Sequence, residues 1–252
     1  MTSPLFPGGV AVSDLAVYDW DAADGRCGGS PHLHTASGEG YIVIGGSGAV
    51  ETLSSEGFVE HPLAVGDVLW FSPGTVHRLV NDGELRLLVV MQNSGLPEAG
   101  DAVLTFPSAV LDDAEAYTAA ALLPVGAGRE DAARARRDLA LEGYAELLGA
   151  WRADGASALA ELHARAARLV RDRVPQWQEL WVSTVAAETE RTRAQLEALR
   201  AGLPGTLGEA SVVRAVPTPG DRGYGMCGRL KTWEFSETTA RDEVIAPSKE
   251  HE

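Results

Sequence analysis

Residues 32–46 read HLHTASGEGYIVIGG, and residues 66–81 read GDVLWFSPGTVHRLVN. In the first stretch His32 and His34 are two apart. Side chains on an extended strand alternate faces, so both imidazoles point one way and Leu33 the other. Glu39 follows five residues after His34, and His77 supplies a third imidazole from the second stretch. Three nitrogen donors and one carboxylate suit a divalent transition metal and leave coordination positions open, the pattern of a reactive centre rather than a structural one. Six histidines occur in the chain. His61, His163 and His251 have no partners at ligand spacing and read as ordinary packing or surface residues.

These two stretches resemble the paired motifs of the cupin superfamily. The first motif runs glycine, five residues, His-x-His, three or four residues, Glu, six residues, Gly; here His32, His34, Glu39 and Gly46 keep that order. The second runs glycine, five residues, Pro-x-Gly, two residues, His, three residues, Asn; Gly66, Gly74, His77 and Asn81 keep it. Gly25 lies one residue further upstream than the motif asks, and Ser72 stands at the proline place with Pro73 after it. Neither departure touches a ligand. The resemblance implies an antiparallel jelly-roll barrel over residues 1–108 with one metal held by His32, His34, Glu39 and His77. Fe(II) is the favoured ion, with Mn, Ni, Co or Zn as the other choices.

The pattern of the chain supports a barrel independently. Short β-branched and aromatic runs separated by glycine-rich turns fill residues 8–93, as in small antiparallel barrels or sandwiches. Gly45–Gly48 and Asn81–Gly83 read as hairpin turns. Beyond them the texture turns to alanine, leucine, arginine and glutamate, predicting a helical subdomain over 109–205, with Asp112 or Asp113 capping its first helix and Pro175 dividing the long last stretch. Trp177 and Trp181, four apart, read as core. Residues 206–236 contain two runs with strand character, SVVRAV and RLKTWEF, expected to extend the barrel sheet or pair with another subunit. Residues 237–252 read as a polar tail. The expected fold class is therefore mainly β with α.

Composition bounds the function. The 252 residues are 45% hydrophobic, enough for a core larger than one small barrel requires. A formal net charge of −15 opposes nucleic acid and anionic membrane surfaces. The absence of a leader or long apolar run predicts a cytoplasmic protein. Cys27 and Cys227 are the only cysteines and imply no disulfide framework; Cys27 reads as a buried thiol. Strand parity turns Tyr41 inward with Glu39, where it could donate a proton or hydrogen bond. Gln92 and Arg86 are candidate substrate contacts, and Arg78 is expected to face outward. Exposed strand positions are expected for Glu51 and Glu60.

The expected activity is that of a metal-dependent enzyme on a small organic molecule. Oxygenase chemistry leads, Lewis-acid isomerase, epimerase, cyclase or decarboxylase chemistry is the alternative, and a noncatalytic sensor barrel is the third reading. Barrels of this type also imply a homodimer.

Overall fold

A computed structural model describes residues 6–236; the tail expected over 237–252, with His251, lies outside the described residues. The strands are β1 (Ala11–Val17), β2 (His32–His34), β3 (Glu39–Ser54), β4 (Gly57–Ala64), β5 (Val68–Phe71), β6 (Val76–Met91) and β7 (Ala102–Leu104). Helices α1 (Ser108–Leu111), α2 (Ala114–Ala121), α3 (Arg129–Asp154), α4 (Ala156–Val170), α5 (Val174–Trp181) and α6 (Ala187–Arg200) follow. Strands β8 (Arg214–Pro217), β9 (Gly223–Tyr224), β10 (Gly228–Lys231) and β11 (Trp233–Ser236) complete the order.

A nine-stranded antiparallel sheet runs β4-β3-β6-β1-β10-β9, with β5 on β3, and β2 joined to both β6 and β7. β8 and β11 form a separate pair. The two runs of the C-terminal segment thus divide. Gly228–Lys231 joins the barrel by pairing with β1, and 214–217 pairs with 233–236.

β3 and β6 are sixteen residues each and pair along almost their whole length. The glycine-rich stretches read as hairpin turns lie inside these two strands, opposite one another, where the register shifts between Val43 and Gly48. They are bulges, not turns, and the reason is local. Asn81 Oδ1 accepts from Gly83 N at 3.1 Å and Leu85 N at 3.0 Å, so β6 turns sharply without reversing. A Cβ on Gly48 would stand 2.1 Å from Val80 O, so only glycine lets the two backbones approach. Asn81 therefore serves the bend.

The bulge separates two environments. From Glu39 to Ile44, buried and accessible residues alternate, the mark of a sheet with one wet face. From Gly48 to Leu53 and from Thr75 to Val80 every residue is buried. On one face of these segments Val50, Leu79, Leu85 and Leu87 fill the barrel with Tyr41 and Val43. On the other, Leu33, Leu53, Val76 and Val103 form one core with Tyr144, Leu159, Leu162 and Trp177 of the helices. The outward facing of Arg78 holds, but the exposure expected of Glu51 does not. Arg78 and Glu51 are buried where the helices cover the sheet, and they lie within 3.7 Å of each other, with Arg26 and Asp24 completing the ion cluster.

The helical segments follow the sequence closely. Asp113 caps α2, accepting from Glu115 N and Ala116 N. A turn of 3-10 helix at Arg171–Arg173 separates α4 from α5, with Pro175 in the first turn of α5, where its missing N–H costs nothing. Trp177 is buried, but Trp181 is 43% exposed. Among the described residues no helix is long and apolar enough to cross a membrane.

Candidate metal centre

β2, β3 and β6 bring the four motif residues together. His32 stands directly opposite His77 in the β2–β6 register, and Glu39 opens β3. All four side chains are buried, with one donor atom from each lying within 4.8 Å of the others. Nε2 of His77 is 3.2 Å from Nε2 of His32 and 3.1 Å from Oε2 of Glu39; Nε2 of His34 is 3.2 Å from the same carboxylate oxygen. Two donors each ~2.1 Å from one ion stand ~3 Å apart when they are neighbours in its coordination shell. The spacing fits one ion.

The outer hydrogen bonds decide which nitrogen faces the centre. His32 Nδ1 lies 2.9 Å from Ser30 O, and His77 Nδ1 lies 3.1 Å from Thr75 O. A carbonyl can only accept, so each Nδ1 carries the proton and each Nε2 presents its lone pair inward. His34 Nδ1 is held the same way, 2.6 Å from Asp101 Oδ1. Three lone pairs and a carboxylate that converge in a buried space repel one another unless a cation sits among them.

Where no cation supplies the positive charge, a proton on His34 supplies it instead. Burial, then repulsion from His77 and His34, pushes the His32 imidazole well below its ordinary pKa. Burial also presses on His34, but the carboxylates of Asp101 and Glu39 prevail and hold it up at about 10. Burial raises the Glu39 carboxyl, yet the neighbouring His77 and His34 bring it well below the usual range. The residues present fit a divalent metal.

His32, His34 and Glu39 open onto a cavity of about 380 Å³. Leu15, Val89 and Met91 of the barrel contribute walls, and Met226, Cys227 and Leu230 close it from the C-terminal segment. Cys227, rather than Cys27, is the thiol of the site, with Sγ 4.0 Å from His32 Nδ1. Cys27 is partly exposed, its Sγ 3.4 Å from Asp21 Oδ1.

The remaining candidates fall in different places. Tyr41 is fully buried inside the barrel, its ring centroid 6.5 Å from that of His77 and edge-on to Phe71. Its hydroxyl has no hydrogen-bond partner, and burial, with Glu39 nearby, pushes its pKa well up. Gln92 is exposed and does not line the cavity; its Oε1 accepts from Gly38 N at 3.2 Å, bracing the turn before Glu39. Arg86 is also exposed, on the outer face of β6, where Asp14 takes its Nε and Nη2. Neither of these polar side chains reaches the donors, because Met91 and Leu87, their neighbours in sequence, take the inward places. Asp101 and Arg136 belong to the site and were not foreseen. The signal for Asp101 is weak, the second of two acids, with Glu98, after Gly95-Leu96-Pro97.

A buried His32, His34, Glu39 and His77 cluster compatible with one metal ion, set in an antiparallel jelly-roll sheet, is the arrangement of a double-stranded β-helix fold. Residues 19–91 match the family model for the cupin domain, so the match covers the barrel segment and not the helices or the C-terminal strands. Similar solved structures include a conserved protein with a double-stranded β-helix domain from Klebsiella pneumoniae, at 18% identity over 37% of this chain and 76% of that one, TM-score 0.29. A putative sugar phosphate isomerase from Acidithiobacillus ferrooxidans is 30% identical over 25% of this chain and 40% of its own, TM-score 0.22. A Streptomyces nucleoside dehydratase is 16% identical over 39% and 69%, TM-score 0.29. A search of curated proteins finds none that matches this chain.

Proposed function

We propose that the protein is a metal-dependent enzyme acting on a small organic substrate, and that its chemistry is that of a non-haem Fe(II) oxygenase. The observation that carries this reading is the lining of the cavity. Its walls are largely apolar, and among the described residues the only carboxylate lining it besides the ligand Glu39 is Glu98, which is exposed and already accepts from Gly95 N at 2.9 Å. Lewis-acid isomerisation or decarboxylation needs a placed group to move a proton. Redox chemistry makes no such demand of the protein.

His32, His34, Glu39 and His77 would hold iron(II), which would supply dioxygen chemistry. The chain itself does the rest. Ser30 O, Thr75 O and Asp101 fix the tautomer and tilt of each imidazole. Leu15, Val89, Met91, Met226 and Leu230 keep water from the reacting space. Tyr41, with a buried hydroxyl free of other partners, is the observation that favours the second reading, a Lewis-acid isomerase, epimerase, cyclase or decarboxylase with Mn, Ni, Co or Zn.

Two free cysteines accord with a cytoplasmic setting. A homodimer is part of the same proposal, supported by an exposed apolar face on which Trp70 is 76% exposed and Val68, paired with Ile42, 61%.

Anaerobic reconstitution with Fe(II), followed by oxygen electrode measurements over diketones, thiols, phenols and hydroxy acids, tests the assignment. Substrate-dependent oxygen uptake supports it. Zinc retained without uptake favours the Lewis-acid reading, and tight binding without turnover favours a sensor.

A further inference from the structure

Arg136 lies on α3, far outside the matched cupin segment, yet it lines the same cavity as His32, His34 and Glu39. It is only 9% exposed. Its Nη1 donates to Ala121 O at 3.2 Å, at the end of α2, and its Nη2 donates to Gly225 O at 2.6 Å, in the segment that closes the cavity. Its Nε is buried with no partner.

The next residue shows what a satisfied buried arginine looks like in this fold. Arg137 donates to Asp138 at 2.6 Å and to Trp20 O and Asp21 O at 2.8 Å each. Arg136 has no such carboxylate within ion-pairing distance among the described residues. Burial presses its pKa down, and Arg129 adds to the repulsion. A guanidinium nevertheless stays charged. A buried cation held by two backbone carbonyls is costly, and the cost is recovered when an anion completes its shell. Glu98, exposed and engaged with Gly95 N, does not do so.

We propose that Arg136 is the anion-binding group of the metal cavity, and that the substrate is a small organic carboxylate bearing a second oxygen for the His32, His34, Glu39 and His77 cluster. A guanidinium edge matches a carboxylate in two parallel hydrogen bonds, a geometry neutral oxygens do not reproduce. The cavity, about 380 Å³, is at the small end of ligand sites and admits a molecule held at both ends. This inference rests on the reading of the cluster as a metal site. It adds the charge of the substrate and assigns a specificity role to the helical segment.

The test uses holo-protein of measured metal content and two pairs of probes, mandelate with mandelamide and lactate with lactamide, titrated by calorimetry. Each pair keeps the hydroxyl and differs in charge. Wild type is expected to bind at least one acid about tenfold or more tighter than its amide. Arg136→Gln is expected to abolish that preference and Arg136→Lys to retain part of it, both with about one metal per chain and an unchanged far-ultraviolet circular dichroism spectrum. Wild-type protein that holds metal but shows no preference for either acid overturns the role of Arg136 alone, as does a preference that survives in folded Arg136→Gln. Wild-type protein that holds no metal overturns the metal reading instead, and the acid preference, read on that same protein, still scores Arg136. The wild-type comparison remains decisive if Arg136→Gln fails to fold.

Discussion

Nδ1 of His34 and Oδ1 of Asp101 are 2.6 Å apart, and Asp101 is entirely buried. The bond crosses from β2 to the residue just before β7, which also receives Thr35 N on its carbonyl. A carboxylate behind an imidazole orients the ring and raises its basicity as a ligand. Asp101→Asn is expected to weaken metal affinity by about 10–100-fold while leaving the fold in place. Competition against a chromophoric chelator measures this, and an unchanged affinity would show that Asp101 has no part in the centre.

α3 packs on the barrel through a glycine. A Cβ on Gly143 would meet the Phe106 carbonyl carbon at 2.2 Å and Thr105 O at 2.3 Å, whereas a Cβ on Gly149, in the same helix, would meet nothing within 4 Å. Gly143→Ala should therefore cost about 2–3 kcal/mol through forced displacement of the helix. Gly149→Ala should gain about 0.5–1 kcal/mol from helix propensity. Urea unfolding of the pair reads the difference, and equal shifts would contradict this packing.

Asp14 joins β1 to β6 and to the C-terminal segment. Its carboxylate takes Arg86 at 2.5 Å and Arg222 at 2.7 Å. Chiefly through the Arg86 hydrogen bond, its pKa falls from 3.8 to about 2. Because the folded value is depressed, the stabilisation is present above pH 3.8 and is lost as pH falls toward 2. Arg86 is half exposed, so the contribution is about 1 kcal/mol after screening. The stability gap between wild type and Asp14→Asn should be constant near neutrality and close between pH 4 and 2, followed by denaturant unfolding at each pH. A gap that persists at pH 2 would argue against the pair.

Trp70 and Val68 project from β5 beside Ile42, and the outward positions Leu88 and Val90 of β6 continue the row on paired strands. Trp70→Glu is expected to convert a dimer to a monomer, read by light scattering behind a sizing column. A wild-type protein that is monomeric at micromolar concentration would refute the dimer.

The clustering of the donor side chains was legible in the sequence because His32 and His34, two apart on one strand, share a face by period-two alternation, and the paired motifs add Glu39 and His77. Asp101 was not, since it lies 67 positions beyond His34 and meets it only through a separate strand pairing. Tyr41 turned inward as parity required, while the same parity sent Arg78 outward on a sheet whose outer face the helices cover. The bulges of β3 and β6 read as turns because glycine serves both, and only the pairing of Gly48 with Asn81 distinguishes them. Arg136 and Arg137 are adjacent on one helix. Which of them faces the cavity depends on the rotation of α3 about its axis, set by contacts such as Gly143 against Thr105.

The central claim is that His32, His34, Glu39 and His77 hold one divalent metal. Elemental analysis of untagged protein, beside His77→Ala and Glu39→Gln prepared identically in metal-supplemented medium, tests it most directly. About one metal per chain is predicted for wild type, with most of it lost in both variants. A folded wild-type protein without metal, or variants that retain as much as wild type, would contradict the account.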